Sequence, residues 1–406
     1  MSDVMQGIRI LEVAEHTFVP AASAILADWG ADVIKVEHPE RGDAMRGLAS
    51  TGTMTLGGDV HVLNEHSNRG KRSIGIDLTR PEGRNVLYRL VEGCDVFLTN
   101  KLPGVLARLK IDVADLRAHN PKVIYVRGTA FGPRGPDADR GGYDMTAFWC
   151  RAGNAASSTP REIEGVLGQP GPAWGDSVGG MNIAGGIAAA QLKRERTGKP
   201  SVVDVSLLAA GGWALSAAIA LSLRTGRPWV TALPSKIRLP NPLVGVHRTG
   251  DGKHISLVML QAAPYWADFC EHIERPDLID DPRFDSPEKL AENASEASEI
   301  ISQVIAQHPL AYWTEKLHTM RGQWAPVQNT LDFPVDRQVL ANGYMARTAT
   351  REGVEFDLVS PPVQFDEQPS GTRRAPAFNE HCDEILGELG YDMEQILELR
   401  IQGAVT

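Results

Sequence analysis

The hydrophobic pattern of the chain alternates between two periods from its start to Phe131. Apolar runs at Ile8–Ala14, Ala31–Glu37, Ser73–Leu78, Asp95–Asn100 and Val123–Phe131 predict buried strands. Helix-period segments lie between them at Pro20–Gly30 and Pro81–Cys94. Gly30 ends the first, and Pro81 suits a first helical turn, where its missing N–H is not needed. Strands alternating with helices predict an α/β fold: a Rossmann-like large domain with a parallel sheet covered on both faces.

Further on, two helical runs are expected at Ser177–Thr197 and Val202–Thr225, separated by "GKPS". Asn241–Leu260 alternates about a Gly-Asp-Gly turn and predicts a hairpin. With helical patterns at Pro264–Glu274 and Ser286–Gln307, it implies a smaller α+β domain. The tail carries two short amphipathic helices. The expected organisation is residues 1–200 as the first part of the large domain and 201–227 as a connecting helix. Residues 228–328 then form the small domain, and 329–406 a return linker and the C-terminal part of the large domain.

Composition narrows the classes of function. A formal net charge of −10 over 406 residues argues against general nucleic-acid binding and leaves room for a local basic pocket. The four cysteines, Cys94, Cys150, Cys270 and Cys382, form no CxxC pair, which fits reduced thiols and a cytoplasmic protein. The N-terminus has no basic region followed by an apolar run, so no signal peptide is expected. The most apolar stretch, Leu207–Leu223, is shorter than the roughly 20 residues of a membrane span and predicts a buried helix rather than membrane insertion. No GxGxxG follows the first strand, "SNRGKRS" lacks the P-loop spacing, and neither GxSxG nor HExxH occurs. The histidines show no metal-ligand spacing, so neither a metal nor a permanently bound cofactor is expected.

One acidic residue stands out. Asp176 lies in "GPAWGDSVGGMNIAGG" (Gly171–Gly186), alone among glycines and small apolar residues at the mouth of a helix. It reads either as a helix N-cap or as a nucleophile. Gly179 and Gly180 suit close approach of backbone to a bulky ligand, and N–H groups at the helix start suit a developing oxyanion. Lys101 and Arg108, seven residues apart, read either as a solvated helix face or as anion contacts.

Several blocks resemble the class III CoA-transferases, the group of formyl-CoA transferase, carnitine CoA-transferase and α-methylacyl-CoA racemase. They are "GIRILEVAEHTFVPAASAILADWGADVIKVEHPERGD", the segment from "NRGKRSIGIDL" to "CDVFLTN", "FGPRGPDADRGGYDMTA", "GDSVGGMNIAGGIAAAQLKRERTGK" and "APAFNEHCDEILGELGY". They stand in the family's order and spacing over nearly the whole chain. The resemblance implies that Asp176 takes the acyl group. It places Lys101 and Arg108 against CoA, with Asn100 and Leu102 flanking that contact. It puts His16 and Thr17 where the chain meets the thioester and His38 near the nucleotide, and matches Tyr143 and Asp144 to the transferases' Tyr-Glu or Tyr-Asn pair. His16 reads equally as a satisfied buried histidine, Thr17 as a hydroxyl bonded to nearby backbone, and Tyr143 as a packed aromatic. Thr17 stands where formyl-CoA transferase has glutamine, its tetraglycine loop is not found between Thr225 and His254, and Asn379 replaces an expected glycine. The first two departures point away from a formyl or oxalyl substrate.

The implied function is CoA transfer between an acyl-CoA and a free carboxylic acid by an interlocked homodimer, with coenzyme A present only as substrate. An ionised carboxylate can attack a thioester, giving an aspartyl mixed anhydride and then an aspartyl-CoA thioester. One rival is an acyl-CoA racemase, which needs a base and an acid on opposite sides of the α-carbon. Racemases carry histidine where Tyr143 stands, and a phenol of pKa about 10 is a poor base at neutral pH. The other rival is a CoA-binding protein without turnover.

Overall fold

A computed structural model describes residues 3–52, 55–56, 58–233 and 239–406. The chain divides into two compact units. One comprises Met1–Thr159, Gly165–Val230 and Arg337–Thr406; the other comprises Pro160–Glu164 and Thr231–Asp336.

The first unit opens with β1 (Arg9–Val13), α1 (Phe18–Asp28), β2 (Asp32–Glu37), α2 (Val62–Asn68), β3 (Arg72–Gly75) and α3 (Pro81–Glu92). It continues with β4 (Val96–Thr99), α4 (Pro103–Leu109), α5 (Val113–His119), β5 (Ile124–Thr129), a π-helix at Met145–Arg151, α6 (Asn154–Ser158) and α7 (Trp174–Thr197). β6 (Val202–Ser206), α8 (Leu207–Ala214) and α9 (Ser216–Thr225) follow. The six strands form one parallel sheet in the order β3-β2-β1-β4-β5-β6. The order reverses between β1 and β4, so the crevice at their carboxyl ends is the expected ligand site of such a sheet.

The period of two along β1 separates two cores. Ile10 packs with α1 and α7 on one face, whereas Leu11 and Val13 pack with α3 and α5 on the other. Glu12 interrupts this apolar run and is fully buried. Gly179 and Gly180, expected to make room for a ligand, make room for α1 instead. A Cβ on Gly179 would lie 2.4 Å from Phe18 Cε2, and one on Gly180 3.0 Å from Ala21 Cβ.

The structure corrects the expectation of one connecting helix over Val202–Thr225. Val202–Ser206 is the sixth strand, in register with Tyr125–Thr129 of β5. Its Val-Val-Asp-Val sequence follows Pro200, and β-branched residues favour a strand there. Ser206 then caps α8, accepting from Ala209 N–H at 3.0 Å. α8 and α9 meet at 68°. Among the described residues no single helix is long and apolar enough to cross a membrane. The apolar stretch Leu207–Leu223 is buried only in part: α8 buries Leu207, Ala210 and Gly211, whereas α9 has no buried residue within the chain.

The second unit has its own core around Phe269, Phe284 and Trp313. Its sheet comprises β7 (Val244–Arg248), β8 (His254–Val258) and β9 (Trp324–Pro326) in sequential antiparallel order. Between β8 and β9 lie α10 (Ala263–His272), α11 (Pro287–Glu292), α12 (Ala294–Ile305) and α13 (Leu310–Lys316). The single helix expected over Ser286–Gln307 is thus two, separated at Asn293, which holds the preceding turn by donating to Lys289 and Arg283 carbonyls.

The chain re-enters the first unit through α14 (Arg337–Ala341) and a ladder of β10 (Met345–Ala349) with β11 (Glu355–Val359). It ends in α15 (Cys382–Glu388) and α16 (Met393–Ile401). This tail docks on β3: Gly75 N–H donates to Asn379 Oδ1 at 2.8 Å and His381 N–H to Ser73 O at 3.0 Å. Asn379 adopts φ 57°, a left-handed conformation that asparagine tolerates.

Candidate active site

A cavity of about 90 Å³ opens at the carboxyl ends of β1, β4 and β5. It gathers six of the residues singled out in the sequence: His16, Asn100, Lys101, Leu102, Tyr143 and Asp176. Sequence reasoning missed Phe18, Pro103, Thr129, Ala130 and Leu207, which complete the lining with three glycines.

Asp176 occupies the first turn of α7, not its N-cap. Ala173 is the N-cap, with φ 55°, and offers no side-chain acceptor. The N-cap reading of Asp176 is therefore corrected: the helix starts earlier than expected. No hydrogen bond to its carboxylate occurs among the described residues. Burial holds its pKa well above the ordinary aspartate value, and the neighbouring Asp144 carboxylate adds to that shift. The α7 N-terminus favours negative charge and opposes both effects.

Asp144 is buried and lies beside the cavity rather than in its lining. Its Oδ1 accepts from Met145 N–H at 2.7 Å at the start of the π-helix. Its Oδ2 accepts from Gly175 N–H at 3.2 Å and Gln169 Nε2 at 3.0 Å. One N–H expected for an oxyanion is thus already taken by Asp144. Tyr143 is 62% exposed, and its ring meets the edge of His16 at 5.5 Å and 88°. It is not the packed core aromatic that one reading allowed. Ser177, next to the nucleophile candidate, is hydrogen-bonded to His66 Nε2 at 3.2 Å. Burial lowers the His66 pKa to about 4, aided by Arg69 and Lys71, so the ring is neutral at neutral pH.

The turn after β1 is held by side chains. Asn100 brackets Glu15, donating to its carbonyl at 2.7 Å and accepting from its N–H at 3.2 Å. Lys101 Nζ pairs with Glu15 Oε2 at 2.5 Å. Lys101 precedes α4, so it shares no helix face with Arg108. Arg108 is exposed near the end of α4 and does not line the cavity. Leu102 is 38% exposed and is the N-cap residue of α4.

Two further candidates lie outside the lining. Thr17 is buried, and its hydroxyl makes no capping bond to α1. His38 is exposed just beyond β2, and its Nδ1 accepts from Glu40 N–H at 3.3 Å. It shares the carboxyl edge of the sheet with the cavity.

Comparison with known proteins places these features in a family. The sequence profile of CoA-transferase family III matches residues 5–382. The chain is 27% identical over 395 residues to (R)-2-hydroxy-4-methylpentanoate CoA-transferase of Clostridioides difficile, covering 97% of each. It is 29% identical over 400 residues to cinnamoyl-CoA:phenyllactate CoA-transferase of Clostridium sporogenes, covering 98% of this chain and 96% of the relative. It is 30% identical over 391 residues to succinate–glutarate CoA-transferase of Agrobacterium fabrum, covering 95% of each. Among solved structures, a CaiB/BaiF family protein from Brucella suis matches 96% of this chain and 100% of its own at a TM-score of 0.77 and 26% identity.

Proposed function

We propose, for a chain that belongs to CoA-transferase family III and is a CoA-transferase, that Asp176 is the group that carries the acyl and CoA moieties between substrates. The observation that supports this most directly is a carboxylate on the cavity wall with no hydrogen-bond partner among the described residues. Such an oxygen keeps its lone pairs for an incoming thioester carbonyl.

In the proposed sequence the Asp176 carboxylate attacks the thioester carbonyl. The C–S bond breaks, CoA leaves as thiolate, and a mixed anhydride remains. The thiolate then attacks the aspartyl carbonyl of that anhydride. The donor acid leaves as carboxylate, and Asp176 becomes a CoA thioester. An incoming carboxylate reverses both steps and departs as the new acyl-CoA. Every bond broken is matched by one formed, and no redox partner enters. His16, Thr17, Asn100, Lys101 and Leu102 are proposed to receive the thioester end of CoA, with Tyr143 and Asp144 bordering the acyl group. Arg108 and His38 serve its phosphates and nucleotide further along the sheet edge.

The chain is further proposed to act as a homodimer. Trp213 is 76% exposed and Leu223 81%, on helices that a second copy would cover. The acids exchanged are a separate question. The named relatives span a branched 2-hydroxy acid, an aryl 2-hydroxy acid and dicarboxylates. A panel of CoA esters and labelled acids of those classes is therefore the direct test. Label entering the CoA pool supports the assignment, with a hydroxylamine-sensitive adduct on Asp176. Exchange of the α-hydrogen with deuterated water, without acid exchange, would instead indicate a racemase.

A further inference from the structure

Six charged side chains lie beneath the site, and the transfer chemistry uses none of them. Glu12, Lys35, Glu37, Asp43, Arg46 and Lys71 cluster between β1, β2 and the segments after them, and five are buried. Three cations face three carboxylates, so the cluster is balanced. Its contacts with neutral groups are more informative, because they concentrate on one stretch of backbone.

Lys35 Nζ reaches three oxygens: Glu12 Oε1 at 2.7 Å, Asp43 Oδ2 at 2.7 Å and the Ala14 carbonyl at 2.9 Å. Lys71 Nζ donates to Glu12 Oε2 at 2.8 Å, Asn68 Oδ1 at 3.1 Å and the Pro20 carbonyl at 3.0 Å. Asp43 Oδ1 accepts from His16 N–H at 3.0 Å and Met45 N–H at 2.8 Å. Buried charges thus grip the turn between β1 and α1 at both ends and at His16. A surface turn needs no such anchoring, since water satisfies its backbone groups. His16 itself has φ 67°, which a residue with a Cβ adopts only when its surroundings enforce it. That conformation puts its imidazole on the cavity, edge-on to Tyr143.

We infer that Asp43, locked by Lys35, is a positioning residue: its carboxylate holds the His16 backbone left-handed and so aims the imidazole at the Asp176 cavity. The inference rests on the reading of that cavity as the CoA-transfer site. Asp43 touches no substrate in this arrangement and acts through His16.

The test is a double-mutant cycle with a structural readout beside it. Glycine adopts φ 67° without strain, so His16→Gly removes both the imidazole and the need for enforcement. Asp43→Glu keeps the charge opposite Lys35 but displaces the acceptor by a methylene. Exchange is followed with succinyl-CoA and labelled glutarate as the probe pair. Each single variant should lower kcat about tenfold or more, and the double variant should fall no further than His16→Gly alone. Multiplying losses would mean that Asp43 acts by another route and would overturn the inference, as would an unchanged kcat in His16→Gly. Hydrogen exchange of the His16 amide needs no substrate. It should be slow in the parent chain and at least tenfold faster in Asp43→Glu. If that variant does not fold, a parent amide exchanging like an exposed loop amide overturns the inference. A parent chain that moves no CoA between any tested pair refutes the functional reading, and the amide measurement then decides on Asp43 separately.

Discussion

Replacing Asp176 by asparagine should abolish CoA transfer while making the protein more stable. The two effects have one structural origin. Asp176 is held well above the ordinary aspartate pKa by burial and by Asp144, and among the described residues no hydrogen bond repays that cost. A carboxyl with a raised folded pKa binds its proton more tightly in the native state than in the unfolded chain. Its contribution to stability is therefore greatest at low pH and declines as pH rises through the folded value. In its ionised form the side chain burdens the fold by about 1.4 kcal/mol for each unit of elevation. Asparagine keeps the size and removes the charge. Each kcal/mol recovered raises Tm by roughly 2–4 °C in a domain of about 150–250 residues. The amide nitrogen's lone pair is delocalised, so the variant lacks the nucleophile. A loss of at least about 10³ in kcat is expected, or roughly 4 kcal/mol of transition-state stabilisation. Since Ala173 rather than Asp176 is the N-cap, Asp176→Ala should be spared the loss of about 1 kcal/mol that accompanies removal of a cap. Label exchange and thermal unfolding at pH 7 measure the two effects on one sample. An asparagine variant that still exchanged at more than a few per cent of the parent rate would refute the nucleophile assignment. A Tm below the parent's would refute the burdened carboxylate.

Other perturbations address other parts of the design. Asp144→Asn removes the charge that raises the Asp176 pKa, so the acidic limb of the kcat/KM profile should move to lower pH; a limb that stays put or moves up would contradict the coupling. Arg108→Ala should raise KM for acyl-CoA about tenfold to a hundredfold with kcat nearly unchanged, the signature of losing a phosphate contact worth about 1.5–3 kcal/mol. Gly179→Ala forces a Cβ to within 2.4 Å of the Phe18 ring and should cost about 1–3 kcal/mol in urea unfolding. Lys35→Met strands the Asp43 carboxylate and leaves Glu12 to Lys71 alone, and should cost about 3–5 kcal/mol at pH 7. In that variant the two carboxyls take up protons more readily, so the deficit should shrink on acidification. In the parent chain, Glu12, Glu37 and Asp43 are held below their ordinary pKa values. Their stabilisation is present above about pH 4 and is lost as pH falls through the folded values, which urea midpoints between pH 3 and 6 would follow.

The large parallel sheet was legible because its strands are long apolar runs punctuated by helices of a different period. β6 was not, because Val202–Ser206 runs directly into α8 and a continuous apolar stretch hides the change of period. The residues around the cavity divide the same way. His16, Asn100 and Lys101 lie within three residues of strand ends, where an α/β sheet collects its ligands, so topology alone brings them together. Asp43 has no such signal, and the position of Glu15 after β1 does not reveal its partner. Both matter through contacts with residues distant in sequence, and such pairings are set by tertiary packing. The exposed side of α9 was misread for a related reason: apolar composition says that a surface will be covered, but not by which chain.

The placement of Asp176 also fixes what the substrate has to supply. A carboxylate that attacks a thioester must be ionised, yet one stripped of water and hydrogen bonds holds its proton. In this chain Asp144 sharpens the conflict twice, through its charge and by taking the Gly175 N–H from the helix end that would otherwise favour the Asp176 anion. The nearby cation, Lys101, is engaged with Glu15. The unliganded site therefore keeps a nucleophile that is strong once ionised and that holds its proton to higher pH than an ordinary aspartate. Burial and Asp144 raise the pKa of the reactive group, and a ligand that brings dipoles or releases Lys101 from Glu15 lowers it. It follows that binding and ionisation are linked. Free coenzyme A, or an acyl-CoA, should lower the Asp176 pKa, and its affinity should weaken as pH falls through the value in the free protein. Titration calorimetry with free coenzyme A in two buffers of different protonation enthalpy reads this directly, as protons released on binding at pH values below the free-site pKa. Binding without proton release in the parent chain, or release that persists in Asp176→Asn, would show that the site does not use its ligand to arm the nucleophile.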